Sequence, residues 1–291
     1  MIDKKIVVTG ISGTIGKYII KTLVSQGFNV TAISRRPIGD DLGADVRIGV
    51  LTDVEFLTSC LKGSEVVIHA AALTRSSDPL KLKKSNEDIT EALVKASEQS
   101  SVKRLVFLSS DLAQDPVGPY GRSKLACEHI IQSSKLKDWV IFRLSPVLLN
   151  KGEEGNSTFT KLIEKASVGY IALPGGGDFT VAPVWIEDLQ RLISIVSNKK
   201  KVFKKIYNVN GSSITLRQFV HLTTERKVYI LTIPIGLIGL AINLLSGMNI
   251  SHPMFESLKA IGKNTMPSTQ ELFDDFGFST SNLECVLRER L

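Results

Sequence analysis

Apolar runs alternating with amphipathic stretches organise the first half of the chain. Runs at 5–9, 28–33, 65–70, 103–108 and 138–144, with a weaker one at 46–50, read as buried parallel strands. Helical spacing of apolar positions marks 14–26, 53–61, 85–99 and 120–134 between them. This alternation predicts an α/β fold built on a doubly wound parallel sheet, with ligands at the carboxyl ends of the strands. Beyond Asn150 the pattern loosens, broken by Lys151-Gly152-Glu153-Glu154-Gly155 and Pro174-Gly175-Gly176-Gly177. The expected organisation is a sheet domain over 1–150 and a smaller, mostly helical lobe over 151–291. Segments 183–186 and 205–209 are expected to return to the sheet edge.

Thr9-Gly10-Ile11-Ser12-Gly13-Thr14-Ile15-Gly16 joins the first strand directly to the first helix. Strand, glycine turn and helix in that order bring backbone up to a pyrophosphate. The first glycine allows the tight turn, the second clears space for phosphate, and the third lets helix and strand pack closely. The helix N-terminus offers N–H groups and partial positive charge. A dinucleotide site over 1–150 follows, making the sheet domain Rossmann-type. The second strand runs into Ser34-Arg35-Arg36, where an NAD site normally carries an acid for the ribose 2′-hydroxyl. Arginine there suits a 2′-phosphate, so NADP(H) is expected over NAD(H).

The chain has 291 residues and a formal net charge of +7, which raises nucleic acid as a partner. The basic run Lys199-Lys200-Lys201 with Lys204-Lys205 has no interleaved aromatic stacking platform and reads as a solvated loop, so no nucleic-acid role is expected. Cys60, Cys127 and Cys285 are scattered and odd in number, and the four histidines are dispersed. Neither a disulfide framework nor a metal site is expected, and a reducing cytoplasm is the simplest home. The nearly uncharged segment Val228 to Leu245 is divided by Pro234 into a short strand and a helix of about 18 Å, too short for a bilayer core of about 30 Å. It reads as a buried or partner-facing helix, with peripheral membrane contact as the alternative.

Candidate chemistry lies at Ser110, on the carboxyl end of the fifth strand, and at Tyr120 and Lys124 on the next helix. Tyrosine and lysine four apart share a helix face. The ammonium is then expected to depress the phenol from its usual pKa near 10, making it a working acid or base, while Ser110 holds a substrate oxygen.

With these residues in place the sequence resembles the short-chain dehydrogenase/reductase superfamily, in its extended, epimerase/dehydratase-type branch. Val67-Ile68-His69-Ala70-Ala71, Asn86, Arg143, Val184-Trp185-Ile186-Glu187-Asp188-Leu189 and Tyr207-Asn208-Val209 continue the likeness across almost the whole chain. The resemblance implies an NAD(P)-dependent oxidoreductase or epimerase acting on a secondary alcohol or ketone, with a nucleotide sugar as a candidate substrate and a homodimer as a candidate assembly. It implies Ser110, Tyr120 and Lys124 as the catalytic set, with Asn86 supporting the lysine through a water relay. Loop and resemblance together assign the cofactor to Gly10, Ser12, Gly13, Thr14, Ile15, Gly16, Arg35, Arg36, Leu51, Ala70, Ala71, Asn86, Ser109, Tyr120, Lys124 and Arg143.

Departures from the branch narrow the reading. Ser110 is followed by Asp111-Leu112-Ala113 in place of a Val-Tyr-Gly signature, and Leu112 replaces the acid of a sugar dehydratase. Val181 stands where nucleotide-sugar enzymes present an arginine to the diphosphate, and Val50 where an adenine-contacting aspartate is common. The short gap from Ser110 to Tyr120, Leu173-Pro174-Gly175-Gly176-Gly177 and the tail from Phe273 resemble the NADPH-binding accessory subunit of respiratory complex I and its bacterial relatives. That likeness implies a second function, a non-catalytic NADPH-binding assembly protein. A third, a regulator sensing the cofactor's redox state, would ordinarily have lost the tyrosine.

Overall fold

A computed structural model describes residues 2–39, 42–74, 76–116, 118–150, 158–224, 227–234, 236 and 267–290. The chain opens with β1 (Ile2–Thr9), α1 (Thr14–Ser25), β2 (Phe28–Ser34), β3 (Asp45–Ile48), α2 (Val54–Leu61) and β4 (Val66–His69). There follow α3 (Pro79–Leu82), a π-helical turn (Lys83–Glu87), α4 (Asp88–Gln99), β5 (Arg104–Ser110), a 3-10 turn (Asp111–Ala113) and α5 (Pro119–Gln132). Then come β6 (Trp139–Leu144), β7 (Val147–Leu148), α6 (Thr158–Ala166), β8 (Tyr170–Pro174), β9 (Thr180–Val181), β10 (Val184–Trp185) and α7 (Ile186–Asn198). The last described elements are β11 (Lys204–Val209), β12 (Ile214–Thr215), α8 (Leu216–Thr223), β13 (Tyr229–Ile233), α9 (Gln270–Phe276) and α10 (Leu283–Arg290).

Seven strands form one sheet in the order β11-β6-β5-β4-β1-β2-β3, every pair parallel. The strand order reverses between β1 and β4, where a doubly wound sheet opens a crevice at its carboxyl edge. Alternation along the strands supplies both faces. Ile6 and Val8 enter a core shared with Ile19, Ile20 and Leu23 of α1 and Leu189, Leu192 and Ile193 of α7. Val7, between them, enters the opposite core with Leu57 and Leu61 of α2, Leu93 of α4 and Ile131 of α5. Each fully buried aliphatic side chain there stabilises by about 1.5–3 kcal/mol before chain entropy is counted.

A buried ion pair fastens the sheet to the connection that leads into its last strand. Arg104 Nε and Nη2 lie 2.9 and 2.7 Å from Asp138 Oδ2, and Nη1 donates to the carbonyls of Val196 and Lys199. Further on, α9 lies on β11 through Asp275, which accepts from Lys201 (2.5 Å), Lys205 (2.7 Å) and the Tyr207 hydroxyl (2.9 Å). Two lysines of the basic run are therefore held in ion pairs. Phe276 of α9 packs on the Phe203 and Tyr207 rings at 4.8 and 5.2 Å. A third core, with Leu148, Phe159, Leu173, Phe219 and Leu287, supports the remaining elements.

Residues 205–209 do return to the main sheet, within β11. Segment 183–186 does not: among the described residues β10 pairs with β7, as a separate two-stranded sheet. The run of two residues before α7 begins is too short to extend along the sheet edge. Strand β13 falls where the sequence places the short strand before Pro234, whereas 235 and 237–245 of the expected apolar helix lie outside the described residues. Among the described residues no helix is long and apolar enough to cross a membrane.

Candidate active site

The crevice between β1 and β4 is shaped by glycines without room for side chains. Gly10 has φ of +87°, and a Cβ there would come within 2.5 Å of the Ala70 and Ala71 backbone. A Cβ on Gly16 would stand 2.3 Å from the Gly10 carbonyl oxygen, so α1 rests directly on the loop. Gly13 is the N-cap of α1 and offers no side-chain acceptor to the first-turn N–H groups. Ser12 and Gly13 are exposed at the mouth, Thr14 and Ile15 half-buried behind it. An exposed glycine cap, tight loop and helix N-terminus fit a dinucleotide's pyrophosphate. At the end of β2, Ser34 Oγ donates to the Arg36 carbonyl at 2.7 Å, a local turn that holds Arg35 and Arg36 exposed beside this mouth. Leu51 is buried in the second core with Ile33 and Leu57, while Val50 beside it is exposed.

Strands β1, β4 and β5 are neighbours, so Gly10, Ala70 and Ser110 line one carboxyl edge. Two strand spacings, about 10 Å, separate the glycine loop from Ser110. Ser110 caps the 3-10 turn: its Oγ accepts from Leu112 N–H at 3.3 Å and donates to Asp111 Oδ1 at 3.0 Å. That turn presses on the start of α5, where a Cβ on Gly121 would lie 2.5 Å from the Leu112 carbonyl oxygen. Tyr120, just before Gly121, is half-buried.

The electrostatics differ from the sequence expectation. The Tyr120 phenol is pushed well above its usual value, first by burial and then by the Asp111 carboxylate. Lys124 does not lower it. Its ammonium is fully buried, donates to the Leu108 carbonyl at 2.6 Å and lies 4.0 Å from the centre of the Phe107 ring. Helical spacing put the two residues on one face, but the nearest acceptor for the amine is a strand carbonyl. Burial brings Lys124 itself down to about 8. Below it, His69 is held neutral: its Nδ1 is 2.7 Å from Thr9 Oγ1, its Nε2 3.1 Å from Thr90 Oγ1, and burial followed by the Lys124 charge takes its pKa down to about 3.

Three other assigned residues spend their polar groups on protein partners. Asn86, in the π-helical turn, accepts from Leu73 N–H at 2.7 Å, donates to the Leu73 carbonyl at 3.1 Å and to Ser123 Oγ at 3.0 Å. It ties the loop after β4 to the residue preceding Lys124. Ser109 donates to Glu128 Oε1 at 2.5 Å, and Arg143 Nη2 meets Glu128 Oε2 at 2.6 Å with Nε bonding both oxygens. Sequence reasoning missed Glu128, although it lies four positions beyond Lys124 on the same helix face. It also missed Ser145, just after β6, which lies 3.4 Å from Asp111 Oδ2, and Asn210, just after β11, which accepts from Ser145; no local signal joins residues so far apart.

A Gly-lined crevice at the switch point of a parallel sheet, with Ser110, Tyr120 and Lys124 on the neighbouring elements, defines the class of dinucleotide-binding α/β folds. The model of the NAD dependent epimerase/dehydratase family matches residues 6–210, and the chain belongs to that family. The chain is 39% identical over 117 residues to the decarboxylating sterol-4-alpha-carboxylate 3-dehydrogenase of Dictyostelium discoideum, covering 37% of this chain and 36% of that protein. It is 30% identical over 145 residues to the photosystem II assembly factor Ycf39 of Guillardia theta, covering 48% and 46%. The chain thus spans less than half the length of these curated relatives. The solved structure of MoeE5 in complex with UDP-glucuronic acid and NAD superposes with a TM-score of 0.77 at 23% identity, covering 98% of this chain and 97% of that one. That likeness shows the fold.

Proposed function

We propose that this protein is an NADP(H)-dependent oxidoreductase of the epimerase/dehydratase family that works on a secondary alcohol or ketone in the cytoplasm. The observation that carries the reading is the placement of Ser110, Tyr120 and Lys124 on the carboxyl edge two strands from the glycine crevice. The loop at Gly10 and Gly13 would hold the pyrophosphate, Gly16 lets α1 rest on that loop, and Arg35 and Arg36 would accept the 2′-phosphate. When bound, the nicotinamide would supply the hydride. Ser110 fixes the substrate oxygen and Tyr120 gives or takes its proton. A phenol held well above its usual pKa keeps its proton at neutral pH, which favours Tyr120 as the acid in ketone reduction. A nucleotide sugar is the first substrate to test, as MoeE5 is solved with one; Val181 in place of an arginine weakens that choice against a substrate without a diphosphate. Tyr120→Phe is expected to lower kcat by about 10²-fold or more while the NADPH dissociation constant stays within about twofold. Unchanged turnover would remove Tyr120 from the chemistry, and tighter binding of NADH than NADPH would remove the arginine argument.

A second reading, a cofactor-holding assembly protein, is favoured by the likeness to an assembly factor and by Lys124 turning to the Leu108 carbonyl. It requires very slow cofactor exchange, no hydride transfer to any carbonyl panel and co-purification with a partner.

A further inference from the structure

Ser110 has one hydrogen to give, and the residue after it competes for that hydrogen. Its Oγ donates to Asp111 Oδ1 at 3.0 Å and accepts from Leu112 N–H at 3.3 Å. While that bond stands, Ser110 has no hydrogen left for a substrate carbonyl, although its oxygen keeps acceptor capacity. The other Asp111 oxygen, Oδ2, is 3.4 Å from Ser145 Oγ, whose own hydrogen has a nearer acceptor in Asn210 Oδ1 at 3.0 Å. Asn210 in turn donates to the Pro267 carbonyl at 2.8 Å, and its own carbonyl accepts from Thr280 Oγ1 at 3.1 Å. Ser110 and Asp111 therefore form one hydrogen-bonded pair, and Ser145, beside the other Asp111 oxygen, begins a second line through Asn210 to the C-terminal segment.

We propose that Asp111 is a positioning residue that sets the direction of the Ser110 hydroxyl. As a carboxylate it takes the Ser110 hydrogen. With a solvent proton on Oδ1 it donates to Ser110 Oγ, and the Ser110 hydrogen is released toward a substrate oxygen. No bond other than that O–H forms or breaks.

The surroundings permit the exchange. Burial raises the Asp111 carboxyl above its ordinary value, outweighing the bond from Ser110 and the nearby Leu112 N–H and Ser145 hydroxyl, which favour the carboxylate. The side chains that meet it, Ser110 at the end of β5 and Ser145 just after β6, are neutral, as is Asn210 just after β11, which holds Ser145. The titratable group facing it from α5 is the Tyr120 phenol, which the carboxylate discourages from ionising. Lys124 on that same helix is turned to Leu108. Protonated Asp111 thus removes one obstacle at Ser110 and a second charge beside the phenol.

The role of Asp111 in turnover rests on the oxidoreductase reading; the hydrogen bond itself does not, and two measurements separate them. The first is a carbon NMR titration of the full chain labelled at the aspartate carboxyl carbons, with Asp111 identified by its loss in Asp111→Asn. The Asp111 midpoint is expected above the ordinary value of about 4, and Ser110→Ala, which deletes a donor to the ionised form, is expected to raise it by about one unit more. The second is the pH profile of NADPH oxidation with a panel of ketones. kcat/KM is expected to fall as pH rises through the Asp111 midpoint in the wild type and to lose that limb in Asp111→Asn. An Asp111 midpoint unmoved by Ser110→Ala, or a limb retained in Asp111→Asn, overturns the proposal. A wild type that reduces no ketone overturns the oxidoreductase reading and the gating of turnover with it, while a midpoint shifted by Ser110→Ala still upholds the bond that sets the hydroxyl.

Discussion

His69 shows how a single side chain sets a condition on the whole protein. Neutral between Thr9 and Thr90, it has a folded pKa near 3 against about 6.5 in an unfolded chain. The unfolded state binds a proton first as pH falls, so stability is fully present above about 6.5 and drains away between there and about 3. One pKa unit is about 1.4 kcal/mol, so this residue alone accounts for a loss of several kcal/mol. Urea melts at neutral and mildly acid pH are expected to show that loss, and His69→Gln to flatten the slope; an equal slope in the variant would assign the acid sensitivity elsewhere. At Gly16 the constraint is steric. Gly16→Ala is expected to lower NADPH affinity by about tenfold or more, read by titration, because a methyl group 2.3 Å from the Gly10 oxygen must push α1 off the loop. The glycine spacing was readable from sequence because three small residues at fixed offsets answer a local geometric need. The behaviour of Lys124 was not, since its acceptor is the carbonyl of Leu108 on another element.

At the level of elements, α5 carries more than a tyrosine and a lysine. Glu128, two turns on from Tyr120, binds Ser109 of β5 and Arg143 of β6, so one helix face is fixed to two adjacent strands. The Glu128 carboxylate is fully buried and the Arg143 side chain nearly so, which makes removal of one partner expensive. Arg143→Ala is expected to destabilise by about 3–5 kcal/mol in denaturant unfolding, because it leaves an unpaired charge inside the protein. Helix α9 is held differently, by Asp275 and a set of packed rings. Asp275→Asn is expected to cost about 1–3 kcal/mol and to raise hydrogen exchange in 270–276 before the sheet responds. Exchange that rises evenly across the chain would deny α9 that independence. Helical periodicity marked α5, but the ionic partners of its inner face come from strands reached through other parts of the chain.

For the molecule as a whole, sheet order decides what meets what. Reversal between β1 and β4 opens the crevice, and the parallel run from β4 to β5 brings Ser110 to its side. A ligand that binds only the folded state raises stability by about 2.7 kcal/mol at a hundred times its dissociation constant. NADPH is accordingly expected to raise the thermal midpoint more than NADH at equal concentration. Equal shifts would leave Arg35 and Arg36 without a part in the choice.

The order of the strands and helices of the sheet, the glycine loop and the choice of candidate side chains were set by local rules: alternation of apolar positions, backbone freedom at glycine, and helix spacing. Those rules act over a few residues and so can be read along a chain. What surrounds each candidate group was decided only on folding. A phenol raised by burial, an amine spent on a strand carbonyl, and an Asp111 carboxylate met by Ser145, itself held by Asn210, all depend on residues that the sheet brings together from far along the chain. Burial and hydrogen-bond competition are properties of that assembled environment, and no stretch of sequence contains it.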